Sequence, residues 1–302
     1  MLIIVLAIIS SLFYVGILNR TRSIVSGRKG PKILQPIYDI LKLLKKGSVY
    51  SETTSIIFKI APAVNFACVV MALLIIPFGS HKGIISFDND FVLFAYILAL
   101  GKFMSIISAL DTGSSFEGMG AAREALYSML VEPAFFILMG SFALASGDTS
   151  FYSIFNSIHL HSYISYLLSI LAALVLLLII LVENSRVPVD DPRTHLELTM
   201  IHEVMILDNS GFDLGLILYT SILKFIIYGS LIINFFIDFS TPTLLTIVIF
   251  LAGQSLIAII IGLIESFTAR FRMNHNPQFI FAITSMAMIL FFCILLLKGL
   301  YI

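Results

Sequence analysis

The sequence predicts an all-α integral membrane protein with about eight transmembrane helices. Of its 302 residues, 59% are hydrophobic and only 12% are charged, whereas a soluble domain has about 25% charged residues. Apolar runs of roughly 20 residues recur along the chain, and each is long enough to cross a bilayer as a helix. Since neither a tandem repeat nor a low-complexity linker separates these runs, residues 1–302 are predicted to form a single membrane domain.

Each apolar run becomes a predicted helix because a membrane span must satisfy its backbone hydrogen bonds internally. The predicted spans are 2–18, 61–78, 91–110, 129–145, 163–182, 214–236, 244–264 and 279–297. The first run has no basic segment before it and no small-residue cleavage site after it. We therefore expect an uncleaved anchor rather than a signal peptide.

The basic residues predict the orientation in the membrane. Loops on one side of the spans contain fourteen Lys or Arg residues, nine of them in segment 19–60, and loops on the other side contain two. Because cytoplasmic loops are enriched in Lys and Arg, we expect long cytoplasmic loops and both termini outside. The formal net charge is zero, which gives no indication of nucleic-acid binding.

Two lysines lie inside predicted spans, Lys102 and Lys224. A buried lysine of this kind snorkels to the surface, pairs structurally with an acid, or belongs to a charge relay. Two cysteines, Cys68 and Cys293, lie far apart within apolar runs. They fit neither a metal site nor an iron–sulfur cluster, so any redox cofactor is expected in another chain.

The most informative segment is 183–203, which places nine ionisable side chains directly after an apolar run. Val187 precedes a proline, which disfavours helical backbone there. Asp191 and Pro192 are typical of a helix N-cap followed by proline at the first helical position. A helix is therefore predicted from about residue 192.

This predicted helix would align His195, Thr199 and His202 on one face, with Glu203 beside them and Glu197 turned aside. Imidazoles and carboxylates pass protons near neutral pH when burial shifts their pKa. Because many apolar residues surround these groups, the pattern favours a buried polar cavity near the membrane surface. The alternative is a solvated amphipathic surface helix.

Two further polar segments are candidates for function. Segment 111–124 contains three glycines whose spacing matches no phosphate-binding pattern, so a tight turn between helices is expected. Glu132 follows at the start of the fourth predicted span, where a carboxylate needs a partner, and Arg123 is a candidate. Segment 35–46 has the pattern of a basic amphipathic helix on the cytoplasmic surface.

Four separated stretches resemble the subunit 1 family of respiratory complex I and membrane-bound nickel–iron (NiFe) hydrogenases. The stretches are residues 35–44, Arg123 with Glu132-Pro133, Glu183-x-x-Arg186-x-Pro188-x-Asp190, and the acidic position at Glu197. Segments 110–124 and 189–203 look like the formate hydrogenlyase and hydrogenase-4 branch. His195 stands where the quinone-reducing branch has an acidic residue, and either Glu203 or Asp208 matches the next family carboxylate.

The resemblance implies a multi-pass anchor subunit in a prokaryotic cytoplasmic membrane, with no catalytic, cofactor-binding or metal-binding residue of its own. Its expected partners are the hydrogenase large and small subunits, an iron–sulfur protein and antiporter-like membrane subunits. The NiFe centre and the iron–sulfur clusters are expected in those partners. The anchor would hold the soluble arm and couple electron transfer to proton or sodium translocation.

The residues assigned to these roles fall into three groups. The predicted ion path consists of Glu132, Glu183, Glu197, His202, Glu203, His195 and Asp208. The predicted charge partners are Arg123, Arg186, Asp190, Asp191, Lys102 and Lys224. Docking is expected through loops 19–60, 111–128, 183–213 and 265–278, with Gln35, Asp39 and Lys42 in the first.

Two alternatives stay open. A quinone chamber between the loops and the membrane would keep the same fold and change the reaction. A secondary transporter would belong to a different class, but such proteins often contain inverted repeats, and no internal repeat is visible here.

Overall fold

The computed structural model describes residues 2–158, 163–191, 200–237 and 241–300. Within these ranges the regular structure is helical, apart from one isolated β-bridge between Phe78 and His81. The helices are α1 (Leu2–Val25), α2 (Gln35–Leu44), α3 (Ile56–Ile75), α4 (Asp90–Asp111), α5 (Ser115–Ser146), α6 (Phe151–Ile158), α7 (Tyr163–Glu183), α8 (His202–Met205), α9 (Gly211–Asn234), α10 (Thr243–Phe267) and α11 (Asn276–Leu300).

Eight of these helices are long and apolar enough to cross a membrane. They are α1, α3, α4, α5, α7, α9, α10 and α11. This confirms the predicted all-α class and the predicted number of spans. The orientation of the termini and the single-domain organisation stay predictions.

The most buried span is α9, which packs against α1, α3, α7 and α10. Six of the remaining spans pack in pairs, namely α3 with α4, α5 with α11 and α1 with α10, and α7 packs against α9, α11 and α5. Gly101 of α4 allows one close approach, because a Cβ there would lie 2.7 Å from Asn65 Oδ1 of α3. Small residues at such crossings let membrane helices pack closely.

The largest departure from prediction is in α5, which is one continuous helix of 32 residues. The expected turn is confined to residues 112–114, where Gly113 adopts a φ of 70°, and residues 115–128 are helical. This stretch is rich in Ala, Glu, Leu and Met, which favour helices. Glu132 therefore lies in the middle of α5 and not at the start of a span.

A second departure lies before α8. Met200 and Ile201 are not helical, and Ile201 has a φ of −116° and a ψ of −75°. A continuous helix from residue 192 to His202 is therefore wrong. Residues 192–199, which include the predicted site residues His195 and Glu197, lie outside the described ranges.

Candidate functional site

A cavity of about 240 Å³ lies among α1, α2, α3, α4, α5, α8, α9 and the segment after α7. It is bordered by nine ionisable side chains from separate parts of the sequence. These are Asp39, Lys102, Glu124, Glu183, Arg186, Asp190, His202, Glu203 and Lys224. Seven of the predicted path and partner residues, together with Asp39 of the predicted docking loop, thus meet at one cavity.

Lys102 of α4 is the cation at the centre of this cavity wall. Its Nζ donates to Glu183 Oε1 at 2.8 Å and lies 3.5 Å from Glu124 Oε1. All three side chains are at most 10% exposed. Such a charge is stable away from water only when it is paired, so Lys102 holds the end of α7 against α4 and α5.

Lys224 of α9 borders the same cavity but differs from Lys102 in its contacts. It is 8% exposed, yet no carboxylate of the described residues lies within ion-pair distance of it. Its charge still interacts with Glu183 and Glu124 across the cavity. The two buried lysines are therefore unequal, because Lys102 has two carboxylates in contact and Lys224 has none among the described residues.

A smaller cavity of about 30 Å³ adjoins the first. Lys102 and Glu183 line both cavities, whereas Glu132 and Tyr228 line only the smaller one. This volume is large enough for a water molecule, which needs about 10–15 Å³ on this measure. The Lys102–Glu183 ion pair is thus part of the wall between the two spaces.

A third cavity, of about 20 Å³, borders His202 from the other side. His202 Nε2 and Asn209 Oδ1 are buried there without a hydrogen-bond partner among the described residues. Ser105 and Ser108 also line it. The space and its polar walls fit a buried water molecule, so His202 connects this pocket with the large cavity.

An ion-pair network holds the segment after α7 in place. Arg22 of α1 lies 3.1 Å from Asp191 and 3.2 Å from Glu265 of α10, and Arg186 lies 3.5 Å from Glu265. The Glu265 side chain is fully buried. The network fixes the first residues after Glu183 against the ends of α1 and α10.

The side chain of Asp190 joins this segment to the backbone at the start of α8. Its carboxylate lies 2.9 Å from Arg270 and accepts N–H hydrogen bonds from Ile201 at 3.0 Å and His202 at 3.3 Å. Burial raises the pKa of Asp190, and the Arg270 guanidinium and the N–H donors oppose that rise. Asp190 thereby holds the backbone at His202, which borders the cavity.

The structure gives Arg123 a different role from the predicted one. Its guanidinium donates to the carbonyl oxygen of Met200 at 2.9 Å, and it forms no ion pair with Glu132. The pairing predicted for these two residues is wrong, because they are nine positions apart on one continuous helix and do not share a face. Arg123 instead ties α5 to the segment before α8.

Two residues of the predicted ion path, Glu132 and Asp208, lie away from the large cavity. Glu132 is exposed in the middle of α5 and within Coulombic range of Lys102. Asp208 is exposed, and its backbone N–H donates to the buried Glu117 at 2.8 Å. Of the two candidates for the family carboxylate, the structure brings Glu203 to the cavity and leaves Asp208 outside it.

Sequence reasoning did not include five ionisable residues that the structure places in the site or beside it. They are Arg22, Glu117, Glu124, Glu265 and Arg270. Glu265 and Arg22 lie just beyond the predicted spans 244–264 and 2–18, although α10 and α1 include them, so the signal that identified Lys102 was absent for them. Their partners are far away in the sequence, so only the fold reveals the pairs.

The predicted docking helix α2 packs against α1 and α9. Gln35 donates to Asp39 at 2.8 Å, and Asp39 borders the large cavity. Lys42 is exposed, as are the apolar side chains of Tyr38 and Leu41. The helix therefore presents one face to the cavity and another to the surroundings.

Comparisons with known proteins agree with this geometry. Hydrogenase-4 component C of Escherichia coli (strain K12) is 29% identical over 294 residues, which cover 94% of this chain and 92% of that protein. Formate hydrogenlyase subunit 4 of the same organism is 26% identical and covers 88% of each chain. NADH-ubiquinone oxidoreductase chain 1 of Chondrus crispus is 28% identical over 67% of this chain and 64% of that protein.

Among solved structures, a chain of an archaeal respiratory membrane complex, the membrane-bound sulfane sulfur reductase, superimposes with a TM-score of 0.83. It is 21% identical and covers 97% of both chains, so the likeness concerns the fold. The family model described as NADH dehydrogenase matches residues 1–296. The chain therefore belongs to the NADH dehydrogenase family of the complex I subunit 1 type.

Proposed function

We propose that this chain is the membrane-anchor subunit of a membrane-bound NiFe hydrogenase complex of the formate hydrogenlyase or hydrogenase-4 type. It docks a soluble electron-transfer arm and couples the redox reaction to proton or sodium translocation. The observation that carries this proposal is the extent of similarity. The two hydrogenase relatives cover 88–94% of the chain, whereas the complex I relative from Chondrus crispus covers 67%.

The large cavity supports the coupling role. Carboxylates and lysines at less than about 10% exposure respond strongly to a change of charge or hydration nearby, because the interior screens charge less than water does. Electron arrival at a docked arm would supply such a change. In this proposal the charge path includes Glu183, His202 and Glu203 at the cavity and Glu132 beyond it, with Glu197 and His195 in the undescribed segment.

The partners follow from the same proposal. The hydrogenase large and small subunits, an iron–sulfur protein and antiporter-like membrane subunits would assemble with this chain in the cytoplasmic membrane of a prokaryote. The NiFe centre and the iron–sulfur clusters would reside in those partners. Exposed apolar side chains on the spans, such as Leu167, Leu256 and Phe292, would face lipid or neighbouring subunits.

The first experiment is purification of the tagged chain from its native membrane in a mild detergent. Co-purification of a hydrogenase large subunit, together with H₂ production from a reduced viologen dye, is the expected result. A chain that purifies alone, or with a nickel-free quinone-reducing assembly, would contradict the hydrogenase proposal.

The second experiment addresses coupling in the complex reconstituted into vesicles. Glu183→Gln should keep dye-linked H₂ production and reduce ion uptake, because a neutral amide retains the shape of the carboxylate and loses its charge. Asp148→Asn is the control, since Asp148 is an exposed carboxylate outside the cavities, the predicted path and the predicted docking loops. Unchanged ion uptake in Glu183→Gln would remove Glu183 from the path.

A second candidate function is a quinone chamber within a complex I type oxidoreductase. The large cavity and the similarity to the Chondrus crispus chain favour it. The volume of about 240 Å³ is near the lower end of ligand pockets, which are typically about 300–1,000 Å³. Quinone reduction that co-purifies with the chain would support this candidate.

A further inference from the structure

The wall between the two cavities consists partly of a single ion pair. Lys102 and Glu183 line both the large cavity and the smaller one that contains Glu132. Their contact at 2.8 Å therefore lies between Glu132 and the other charged groups of the site. A separation of these two side chains would join the two spaces.

The large cavity is also lined by a second lysine that belongs to a membrane span. Lys224 borders the same cavity as Glu183, is 8% exposed and contacts no carboxylate of the described residues. Its charge already interacts with that of Glu183. An ammonium that no described carboxylate contacts is costly at this burial, so a carboxylate that moved to it would lower the cost at Lys224.

Lys102 would not be left alone by such a move. Glu124 lies 3.5 Å from Lys102 Nζ, and a small shift would bring it to hydrogen-bond distance. Two lysines and two glutamates thus allow two arrangements. In the first arrangement, Glu183 and Glu124 both contact Lys102. In the second, Glu124 contacts Lys102 and Glu183 contacts Lys224.

We propose that the Lys102–Glu183 ion pair is a gate between the two cavities, and that Lys224 is the cation that holds Glu183 when the gate is open. No covalent bond forms or breaks, because only ion pairs are exchanged. Opening connects Glu132 with the large cavity through water. The proposal deepens the coupling role and rests on the proposed function for its physiological meaning, although the exchange itself is a property of this chain.

The direct test is a structure of the purified complex carrying Lys102→Gln, determined by electron cryomicroscopy. We expect the Glu183 carboxylate to lie within about 2.7–3.2 Å of Lys224 Nζ, the range of a hydrogen bond. A Glu183 side chain that stays beside residue 102 would overturn the gate. This readout does not depend on hydrogenase activity.

The functional test uses Lys224→Gln, which removes no ion pair of this structure and is expected to fold. In vesicles containing the complex, ion uptake during dye-driven H₂ production should fall by about tenfold, a typical size for coupling between sites, while H₂ production is unchanged. Lys224→Arg should retain most of the uptake. Ser221→Ala, which changes another residue lining the same cavity, is the matched control.

These experiments distinguish a failure of the gate proposal from a failure of the proposed function. Normal ion uptake in Lys224→Gln would overturn the gate and leave the proposed function intact. If the unmodified complex shows neither H₂ production nor ion uptake, the proposed function is wrong, and the position of Glu183 in the Lys102→Gln structure still decides the ion-pair exchange. If Lys102→Gln does not assemble, the ion uptake of Lys224→Gln decides the proposal.

Discussion

Arg22 at the end of α1 and Glu265 at the end of α10 lie 3.2 Å apart between Nη1 and Oε2. The Glu265 side chain is fully buried, and the second cation near it, Arg186, lies farther away at 3.5 Å. Arg22 also holds Asp191 through two hydrogen bonds of 3.1 and 3.3 Å. One guanidinium therefore joins two helix ends to the segment that borders the large cavity.

Replacement of Arg22 by Met should destabilise the protein strongly. Removing one partner of a buried ion pair typically costs about 3–5 kcal/mol, and we expect the lower end of this range because Glu265 keeps its 3.5 Å contact with Arg186. We expect a lower unfolding temperature of the chain in detergent, measured by scanning fluorimetry. Arg28→Met is the control, since Arg28 is exposed and forms no ion pair with a described residue. Equal unfolding temperatures for the two variants would show that the network contributes little.

Gly120 is expected to be essential for the position of α8. A Cβ at this residue would lie 2.3 Å from Val204 Cγ1 and 2.9 Å from the Ile201 carbonyl oxygen. Gly120→Ala should therefore displace the segment that carries His202 and cost about 1–3 kcal/mol, as overpacked cores do. The unfolding temperature and the yield of assembled complex measure the effect.

Gly140 provides the control on the same helix, because beyond its chain neighbours and the nearby backbone of α5 no atom of the described residues lies within 4 Å of a Cβ built there. Gly140→Ala should be neutral or stabilise α5, since Ala favours helix interiors by about 1 kcal/mol over Gly. Similar stabilities of the two alanine variants would contradict the close packing of α5 on α8.

Arg123 is expected to secure the segment before α8 and not to tune Glu132. Arg123→Gln should remove the 2.9 Å hydrogen bond to Met200 and increase protease cleavage around residue 200. Limited proteolysis with mass spectrometry measures this change. Arg123→Lys should protect the segment partly, because an ammonium can still donate to the carbonyl oxygen. A cleavage pattern like that of the native protein would argue against this role.

Tyr50 should anchor the loop before α3 to the start of α9. Its hydroxyl donates to Asp213 Oδ2 at 2.7 Å, and this hydrogen bond raises the pKa of Tyr50 above its usual value of about 10. The contact is therefore complete below pH 10 and is lost as the pH rises through the raised pKa. Tyr50→Phe should increase subtilisin cleavage within residues 48–54 at neutral pH, whereas the native loop should become sensitive only in strong alkali.

Equal cleavage of the native and Tyr50→Phe proteins at neutral pH would show that other contacts hold the loop. Val49, whose N–H donates to the Ser210 side chain at 2.9 Å, would then be the next residue to examine.

The helical architecture was accessible from the sequence because it depends on the length of apolar runs. All eight predicted spans correspond to helices, but their ends differ from prediction where polar residues continue a helix. The end of α1 at Val25 includes Arg22, and α5 begins at Ser115. The predicted spans ended where the apolar run ended. The helices extend further because the charged side chains at their ends form ion pairs or hydrogen bonds.

The residues of the site could be predicted from the sequence only in part. Glu183, Arg186, Asp190, His202 and Glu203 were identified as candidates because they cluster in one polar segment. Which residues pair with them was not predicted, since Lys102 meets Glu183 from a position 81 residues away. The expected pairing of Arg123 with Glu132 was wrong because the two residues turned out to share one helix.

The sequence by itself determined that this chain is a helical membrane protein of eight spans with a charged segment after the span that ends at Glu183. Apolar length and the cost of unpaired charge in a bilayer are local properties, so they can be read from neighbouring residues. The tertiary structure alone decided which charges meet. Lys102 holds two carboxylates while Lys224 holds none of those described, because the packing of α4, α5, α7 and α9 sets distances that no spacing along the chain encodes.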